Sequence, residues 1–174
     1  MKEIVQRDEP ILRAIAAPVP VKDIGSDKIK KVLKDMKEAM AKQKDGVAIA
    51  APQIGVSLRI FMVSGDLLGK ADHAYESGPD LVFINPEIVR LSRDKKEVEE
   101  GCLSVRWLYG MIKRSTKATL KAYDENGKRI ERGASGLLAQ IFQHEVDHLN
   151  GILFIDKADN VWEMTDEEIA DLKK

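Results

Sequence analysis

Two histidines four positions apart, His144 and His148, are the residues of this sequence most suited to chemistry, and Glu145 lies between them. Residues four apart on an α-helix are only about 40° out of line, so both imidazoles can bind one metal ion from the same face. Glu145 can then reach a water molecule at that ion. The pattern is short enough to arise by chance, and a helix with two surface histidines is the alternative interpretation.

A hydrolytic metal site needs a third protein ligand and one position that is open to water. Cys102 is the one cysteine in the chain, which excludes an intramolecular disulfide, and its thiolate is a strong ligand for a divalent ion. Taken alone, a cysteine near the end of a strand is more often a small buried apolar residue. The two histidines make metal ligation the better interpretation.

A third segment, residues 46–55, is rich in small residues and contains Gln53. Small side chains let a substrate backbone approach closely, and the Gln53 amide can donate a hydrogen bond. Taken alone, this segment is better interpreted as a tight buried connection in which Gln53 binds backbone groups.

Hydrophobic periodicity predicts the elements that must position these residues. A helix is predicted over residues 135–149, which would carry the histidines, and another begins after Ser26 and ends in a turn that contains Lys42 and Lys44. Residues 1–25 are predicted to be irregular, residues 64–80 to form a surface loop, and a capping box at 165–168 to open a short helix. Strands are predicted at residues 58–63, 81–84, 88–91, 96–102, 116–123 and 128–131, with 88–91 and 96–102 as one pair and an Asn-Gly hairpin turn joining the last two.

These elements predict one α+β domain over residues 1–174, with mostly antiparallel sheets packed around a central helix that carries the His-Glu-x-x-His motif. The net charge is −1, which gives no basis for binding nucleic acid. No apolar run approaches the roughly 20 residues that span a membrane. The first ten residues mix acids and bases, unlike a targeting peptide, so we expect a cytoplasmic protein.

Three segments occur in an informative order: residues 46–53, Glu-Gly-Cys-Leu-Ser at 100–104 and Gln-His-Glu-Val-Asp-His at 143–148. Together they closely resemble the three motifs of the peptide deformylase family, and the opening residues 7–12 are similar as well. The resemblance extends from about residue 4 to about residue 157. One such motif would be weak, whereas three in this order and spacing are a specific signal.

The resemblance implies a metal-dependent hydrolase that removes the formyl group from the N-terminal methionine of new polypeptides and releases formate. The implied metal ligands are Cys102, His144 and His148. The ion is usually ferrous iron in this family, and zinc, nickel or cobalt can replace it. Glu145 would then move the proton from water to the departing amine. The side-chain amide of Gln53 and the backbone N–H of Leu103 would stabilise the oxyanion.

The implied substrate is an N-formylmethionyl nascent peptide, whose methionine side chain would enter an apolar pocket. By motif position, the substrate-binding residues are Gly46, Val47, Ala48 and Leu137, with His144 at the floor of the pocket. A transient contact with the ribosome is expected, but no other contact with nucleic acid and none with a membrane.

The chain departs from the family in two places. Ala48 stands where the family usually has its second glycine, which puts the affinity for substrate in doubt. Arg106 and Trp107 stand where proline and glycine are common, so we expect a differently shaped rim, with contacts to the peptide beyond methionine or ordinary packing as the alternatives. Because few residues follow the acidic terminal helix, docking to the ribosome through a basic extension is not expected.

Two other functions fit parts of the sequence. A zinc endopeptidase of the His-Glu-x-x-His type usually takes its third ligand downstream, where this chain offers Glu163 beyond an apolar segment that reads as extended. A non-catalytic protein that binds formylated chains would be expected to lack Glu145, Gln53 or a ligand, and this chain has all of them. Asp147 is interpreted equally well as a residue that orients a histidine, as a solvated acid or as an ion-pair partner of an arginine, and His73 as a surface residue.

Overall fold

The computed structural model describes residues 2–72 and 75–173, and the statements about structure below refer to these residues. The prediction for His73 lies outside them. Four α-helices are present: α1 (Asp27–Ala41), α2 (Gly65–Ala71), α3 (Gly136–Leu149) and α4 (Asp166–Lys173). The eight strands are β1 (Ala48–Ala50), β2 (Ile60–Val63), β3 (Leu81–Leu91), β4 (Lys95–Cys102), β5 (Val105–Ser115), β6 (Lys117–Tyr123), β7 (Arg129–Ser135) and β8 (Asp159–Glu163). Short 3₁₀ turns lie at Pro10–Arg13, Val21–Asp23, Ala51–Ile54 and Phe154–Asp156.

The strands form two antiparallel sheets, which confirms the predicted α+β class. One sheet has five strands in the order β1-β2-β3-β6-β7, and the other has three in the order β4-β5-β8. Every pairing between named strands is antiparallel. Within the described parts of the chain, no helix has both the length and the apolar composition needed to cross a membrane.

The five-stranded sheet is buried on both faces at β2. Phe61 and Val63 pack in one apolar cluster with residues of α3, whereas Ile60 and Met62 pack in another with residues of α1. Successive side chains of a strand point to opposite faces, so this division places α3 and α1 on opposite sides of the sheet. On the α3 side, the ring of Phe142 lies 6.1 Å from that of Phe61. The packing holds α3 firmly against the sheet.

Most of the predicted elements are confirmed, with small changes in their bounds. The Ser26 hydroxyl accepts a hydrogen bond from the N–H of Ile29 at 3.4 Å, as expected for an N-cap. Helix α1 ends at Ala41, however, so Lys42 is its C-cap and Lys44 lies beyond it. The β6–β7 hairpin, helix α3 and the capping contacts between Thr165 and Glu168 all occur.

The prediction of a continuous surface loop over residues 64–80 is wrong. Helix α2 begins after Ser64, whose hydroxyl accepts a hydrogen bond from the N–H of Leu67 at 3.3 Å. Leu68 is 2% exposed in the cluster beneath α3, so burial of one apolar side chain and the N-cap together stabilise a short helix in a polar segment.

The predicted break between the strands 81–84 and 88–91 is also wrong, because β3 runs without interruption from Leu81 to Leu91. Asn85 adopts a φ of 53°, and its side chain exchanges two hydrogen bonds of 2.7 Å with the backbone of Val19. The register shifts between Ile84 and Glu87, so Pro86 lies at an irregularity where the sheet tolerates it. The predicted pairing of 88–91 with 96–102 therefore fails: 88–91 pairs with β6, and β4 pairs with β5.

The apolar segment that follows α3 was predicted to be extended over residues 151–156. Its last three residues instead form the 3₁₀ turn Phe154–Asp156. The Asp156 carboxylate accepts a hydrogen bond from the N–H of Leu153 at 2.9 Å and so caps this turn. Phe154 is 2% exposed in a third apolar cluster with Leu12 and Val105 beneath β5.

Candidate metal centre

The structure brings Cys102, His144 and His148 together, although 42 positions separate the cysteine from the nearer histidine in the sequence. Cys102 ends β4, and both histidines lie on one face of α3. Their potential ligand atoms all lie within 4.8 Å of one another, and Cys102 Sγ is 3.1 Å from His148 Nε2. A single ion can contact all three. His148 is 1% exposed, so the surface-histidine interpretation does not fit it.

The charge state of Cys102 suits a metal ligand. Burial raises the pKa of its thiol, but the charge of His148 and the hydrogen bonds with both imidazoles outweigh burial and lower the pKa to about 5. The backbone N–H of Ser104, at 3.4 Å, and the Gln53 amide, at 3.7 Å, also donate to the sulfur. The thiolate, which is the form that binds metals, is therefore favoured at neutral pH.

A buried carboxylate orients His144. The Nδ1–H group of His144 donates to Glu100 Oε2 at 2.9 Å, which leaves His144 Nε2 as the atom available for a metal ion. The Arg114 guanidinium donates two hydrogen bonds, of 2.8 and 2.9 Å, to the same Glu100 carboxylate. Burial raises the pKa of Glu100, but the contacts with His144 and Arg114 lower it to about 2. The Glu100 carboxylate is therefore ionised, and it fixes both the tautomer and the direction of the imidazole.

Asp147 is an ion-pair partner of an arginine, one of the three alternatives that the sequence left open. Its carboxylate contacts Arg114 Nη1 at 2.7 Å and Lys157 Nζ at 2.7 Å. The residue that orients a histidine is Glu100, two positions before Cys102 and hence on the same face of β4. That spacing could have identified Glu100, whereas nothing in the sequence indicated Arg114.

Glu145 is 4% exposed, and its Oε2 atom has no hydrogen-bond partner among the described residues. Burial raises the pKa of this carboxyl, and the charges of His144 and His148 oppose the rise. His148 Nδ1 is the other buried side-chain atom without a partner in the described part of the chain. A buried polar atom left without a partner costs about 1–3 kcal/mol, so the free Oε2 of Glu145, beside the cluster, indicates a site built to hold a further group. A divalent ion and water fit this donor set.

Gln53 and Leu103 are both neighbours of Cys102. The Gln53 carbonyl oxygen accepts from the N–H of Ala50 at 2.8 Å, so the backbone contact expected for a buried connection is present. The amide nitrogen of the same side chain turns the other way, towards Ser104 Oγ at 3.2 Å and Cys102 Sγ at 3.7 Å. Leu103 is 7% exposed in the tight turn between β4 and β5.

A crevice of about 210 Å³ opens beside the cluster. Ligand sites for drug-sized molecules usually enclose roughly 300–1,000 Å³, so this one suits the end of an extended chain. A Cβ atom on Gly46 would lie 2.8 Å from Leu103 Cδ1, so the wall is narrow at this point. His148 is buried behind the lining. Every other residue that the sequence predicted for the site lines the crevice, namely Gly46, Val47, Ala48, Gln53, Cys102, Leu103, Leu137, His144 and Glu145.

The antiparallel α+β fold and the Cys-His-His cluster beside a buried, unpaired glutamate define a metal-dependent hydrolase of the His-Glu-x-x-His class. A family model described as polypeptide deformylase matches residues 1–163. The chain belongs to the peptide deformylase family, whose members use a catalytic metal.

The family's members resemble this chain over most of its length. A peptide deformylase of Carboxydothermus hydrogenoformans is 43% identical over 160 residues, which cover 91% of this chain and 94% of that protein. A class I type b peptide deformylase from Acinetobacter baumannii, solved with Met-Ala-Ser bound, superposes with a TM-score of 0.80 at 36% identity, covering 88% of this chain and 96% of that one. The enzyme from Thermotoga maritima gives 0.79 at 34% identity, covering 92% and 99%.

Proposed function

We propose that this protein removes the formyl group from the N-terminal methionine of newly made polypeptides and releases formate. The observation that carries this proposal is the meeting of Cys102, His144 and His148 beside the unpaired Glu145 carboxylate in one narrow crevice. Membership of the peptide deformylase family supports it, and so does the Met-Ala-Ser complex of the Acinetobacter baumannii enzyme.

The residues that would hold the metal are Cys102, His144 and His148. Their donor set, one thiolate and two imidazoles, suits ferrous iron, zinc, nickel and cobalt, and we propose ferrous iron from the resemblance to the family. When bound, a divalent ion polarises a carbonyl group and lowers the pKa of water. Glu100 and Arg114 would keep His144 in its binding orientation.

Glu145 is the proposed general base and acid. Its free Oε2 atom can accept the proton of the attacking water and then deliver it to the departing amine. Because the residue follows His144 directly on α3, the rigid helix fixes its carboxylate beside the ligands. A helix is a more accurate support for such a group than a loop.

Gln53 and Leu103 are the proposed oxyanion donors. The N–H of Ala50 holds the Gln53 carbonyl oxygen and so aims the amide nitrogen into the crevice. Of the two contacts that this nitrogen makes, the one with Cys102 Sγ is long, at 3.7 Å, and can be exchanged for an oxyanion. Each fixed donor of this kind is typically worth about 3–4 kcal/mol of the activation barrier.

The proposed substrate site is the crevice wall formed by Gly46, Val47, Ala48 and Leu137. Strand β1 lies at the edge of its sheet, so one side of its backbone is available to pair with an extended peptide. The methyl group of Ala48 leaves the backbone donor and acceptor of that strand in place. A linear formyl-methionyl chain fits such a wall better than a folded protein does.

Release of formate from formyl-Met-Ala-Ser tests the proposed function directly. We expect one formate per peptide, no reaction with acetyl-Met-Ala-Ser and no cleavage of casein. Formation of formate is measured with a coupled dehydrogenase, and casein products by mass spectrometry. Cleavage of casein would support the endopeptidase alternative, and binding of the formyl peptide without formate would support the non-catalytic one.

The identity of the metal is tested by purification with and without oxygen. If ferrous iron is the native ion, activity should decay faster in air, because the iron and the Cys102 thiolate both oxidise. Elemental analysis of anaerobically purified protein should then find iron at a stoichiometry near one per chain. Equal decay under both conditions would instead favour zinc or nickel.

The place of action follows from the substrate. We propose that residues 1–174 act as a single catalytic domain in the cytoplasm, where formylated chains emerge from ribosomes. Contact with the ribosome would be transient, since a net charge of −1 provides no general attraction to RNA.

A further inference from the structure

Arg106, in the lining of the crevice, binds several groups of its own chain. Its Nη1 lies 2.6 Å from Asp45 Oδ2, and its Nη2 donates to Gln43 Oε1. The guanidinium also stacks over the ring of Trp107, 5.3 Å from its centroid. The side chains of Arg106 and Asp45 are each 22% exposed, so this ion pair is largely shielded from water. We call the contacts of Arg106 with Asp45 and Gln43 the rim clasp.

The rim clasp joins the two walls of the crevice. Asp45 directly precedes the wall residues Gly46–Ala48, whereas Arg106 follows the turn that holds Cys102 and Leu103. These walls are 61 positions apart in sequence at the clasp and belong to different sheets. Just inside it, a Cβ atom on Gly46 would lie 2.8 Å from Leu103 Cδ1, so the two walls lie close together at this point. The rim clasp therefore joins the two walls close to the point where Gly46 and Leu103 approach each other.

The turn that carries Leu103 has a second restraint. Gln6 Nε2 donates to the Leu103 carbonyl oxygen at 3.1 Å, and Gln6 Oε1 accepts from the N–H of Arg106 at 3.4 Å. No comparable contact to Asp45 occurs from this side in the described residues. The turn is thus held from two directions, and the rim clasp ties the side chains of Asp45 and Gln43 to it.

We infer that Arg106 is a positioning residue that sets the width of the substrate crevice through its contacts with Asp45 and Gln43. The inference rests on the proposed deformylase function for its effect on substrate. A direct role in binding the peptide is less consistent with the contacts, because both terminal nitrogens of the guanidinium bind groups of the chain itself and one face covers Trp107. Fixing both walls in advance lowers the entropy that an extended peptide must lose on binding.

The test compares Arg106→Met, Asp45→Asn and the double variant with the wild type. Each single change removes the ion pair, so each should raise KM for formyl-Met-Ala-Ser by roughly 5–20-fold and leave kcat within about twofold. The double variant should be no worse than Arg106→Met, because that single change already removes both contacts of the rim clasp. Arg93→Met is the matched control, since Arg93 is exposed in the turn between β3 and β4 and away from the crevice, and its KM should equal that of the wild type.

Amide hydrogen exchange gives a readout that needs no catalysis. Exchange in the peptide spanning 42–47 should speed up by roughly fivefold in Arg106→Met and Asp45→Asn, while α3 is unchanged. If Arg106→Met raises KM while Asp45→Asn changes neither KM nor the exchange of 42–47, the Arg106–Asp45 ion pair does not set the width of the crevice and the inference is wrong. Unchanged KM and exchange in both variants would also overturn it. If the wild type releases no formate, the proposed function fails. The amide hydrogen exchange of residues 42–47 then tests by itself whether the rim clasp holds the crevice wall.

Discussion

Glu145→Gln is expected to lower kcat for formyl-Met-Ala-Ser by about 10²–10⁴-fold, which is the range that general acid–base catalysis contributes. Glutamine has the size of glutamate but cannot accept a proton from water. The side chain is 4% exposed and its Oε2 atom has no partner among the described residues, so the neutral amide fits without breaking a contact. The cluster of Cys102, His144 and His148 is left intact, and we therefore expect the variant to bind one metal ion as the wild type does.

Steady-state formate release and elemental analysis on the same preparation check this prediction. Glu125→Gln is the matched control: it removes the same charge from an exposed turn between β6 and β7 and should have wild-type activity. A Glu145→Gln variant whose kcat stays within tenfold of the wild type would show that another group moves the proton. A variant without metal would show instead that Glu145 helps to hold the ion.

The parts of the fold that local sequence determines were predictable. Helix α3 has apolar residues at helical spacing, and α1 has a serine N-cap, so both follow from interactions within about four residues. The β6–β7 hairpin follows from an Asn-Gly turn for the same reason. The Cys-His-His cluster was also predictable, because few residue types bind transition metals and this chain has one cysteine and three histidines.

Elements that depend on distant partners were not predictable. Strand β3 runs through Asn85, whose side chain binds the backbone of Val19, 66 positions away. Strand β8 is exposed along its whole length and is held by pairing with β5, so it lacks the alternation that marks a strand. Neither contact leaves a periodic trace in the sequence.

The charged residues around the site also depend on distant partners and were not predictable. Arg114 reaches Glu100 from a neighbouring strand and Asp147 from 33 positions away, and a lone arginine in a strand looks like a solvated residue. The rim clasp of Arg106 is similar, since the sequence indicated a changed rim but not its partner Asp45. Motifs therefore predicted which residues form the Cys102, His144 and His148 cluster, whereas the groups that orient these side chains required the three-dimensional arrangement.

Cys102→Ser is expected to lower the affinity for the metal by more than about 100-fold, since changing residues that only orient ligands already costs about 10–100-fold. The thiol has a pKa of about 5 in this site and so supplies a negative charge at neutral pH, whereas a serine hydroxyl stays protonated. Catalysis should fall in parallel with the metal content. The fold should persist, because the three apolar clusters that hold α3, the sheets and the β4–β5 turn include Cys102 only at the margin of one of them.

Metal content per chain, measured after dialysis against a weak chelator, separates a ligand from a merely buried cysteine. Glu145→Gln serves as the control, because its side chain lies in the same buried cluster and should leave the metal in place. If Cys102→Ser loses the ion while Glu145→Gln keeps it and loses turnover, binding and proton transfer reside on different side chains. If both variants keep the ion, Cys102 is not a ligand and the two histidines must find their third partner elsewhere. That outcome would also leave the Cys102 thiolate, whose pKa is about 5 and which lies directly beside His148, without a role in metal binding.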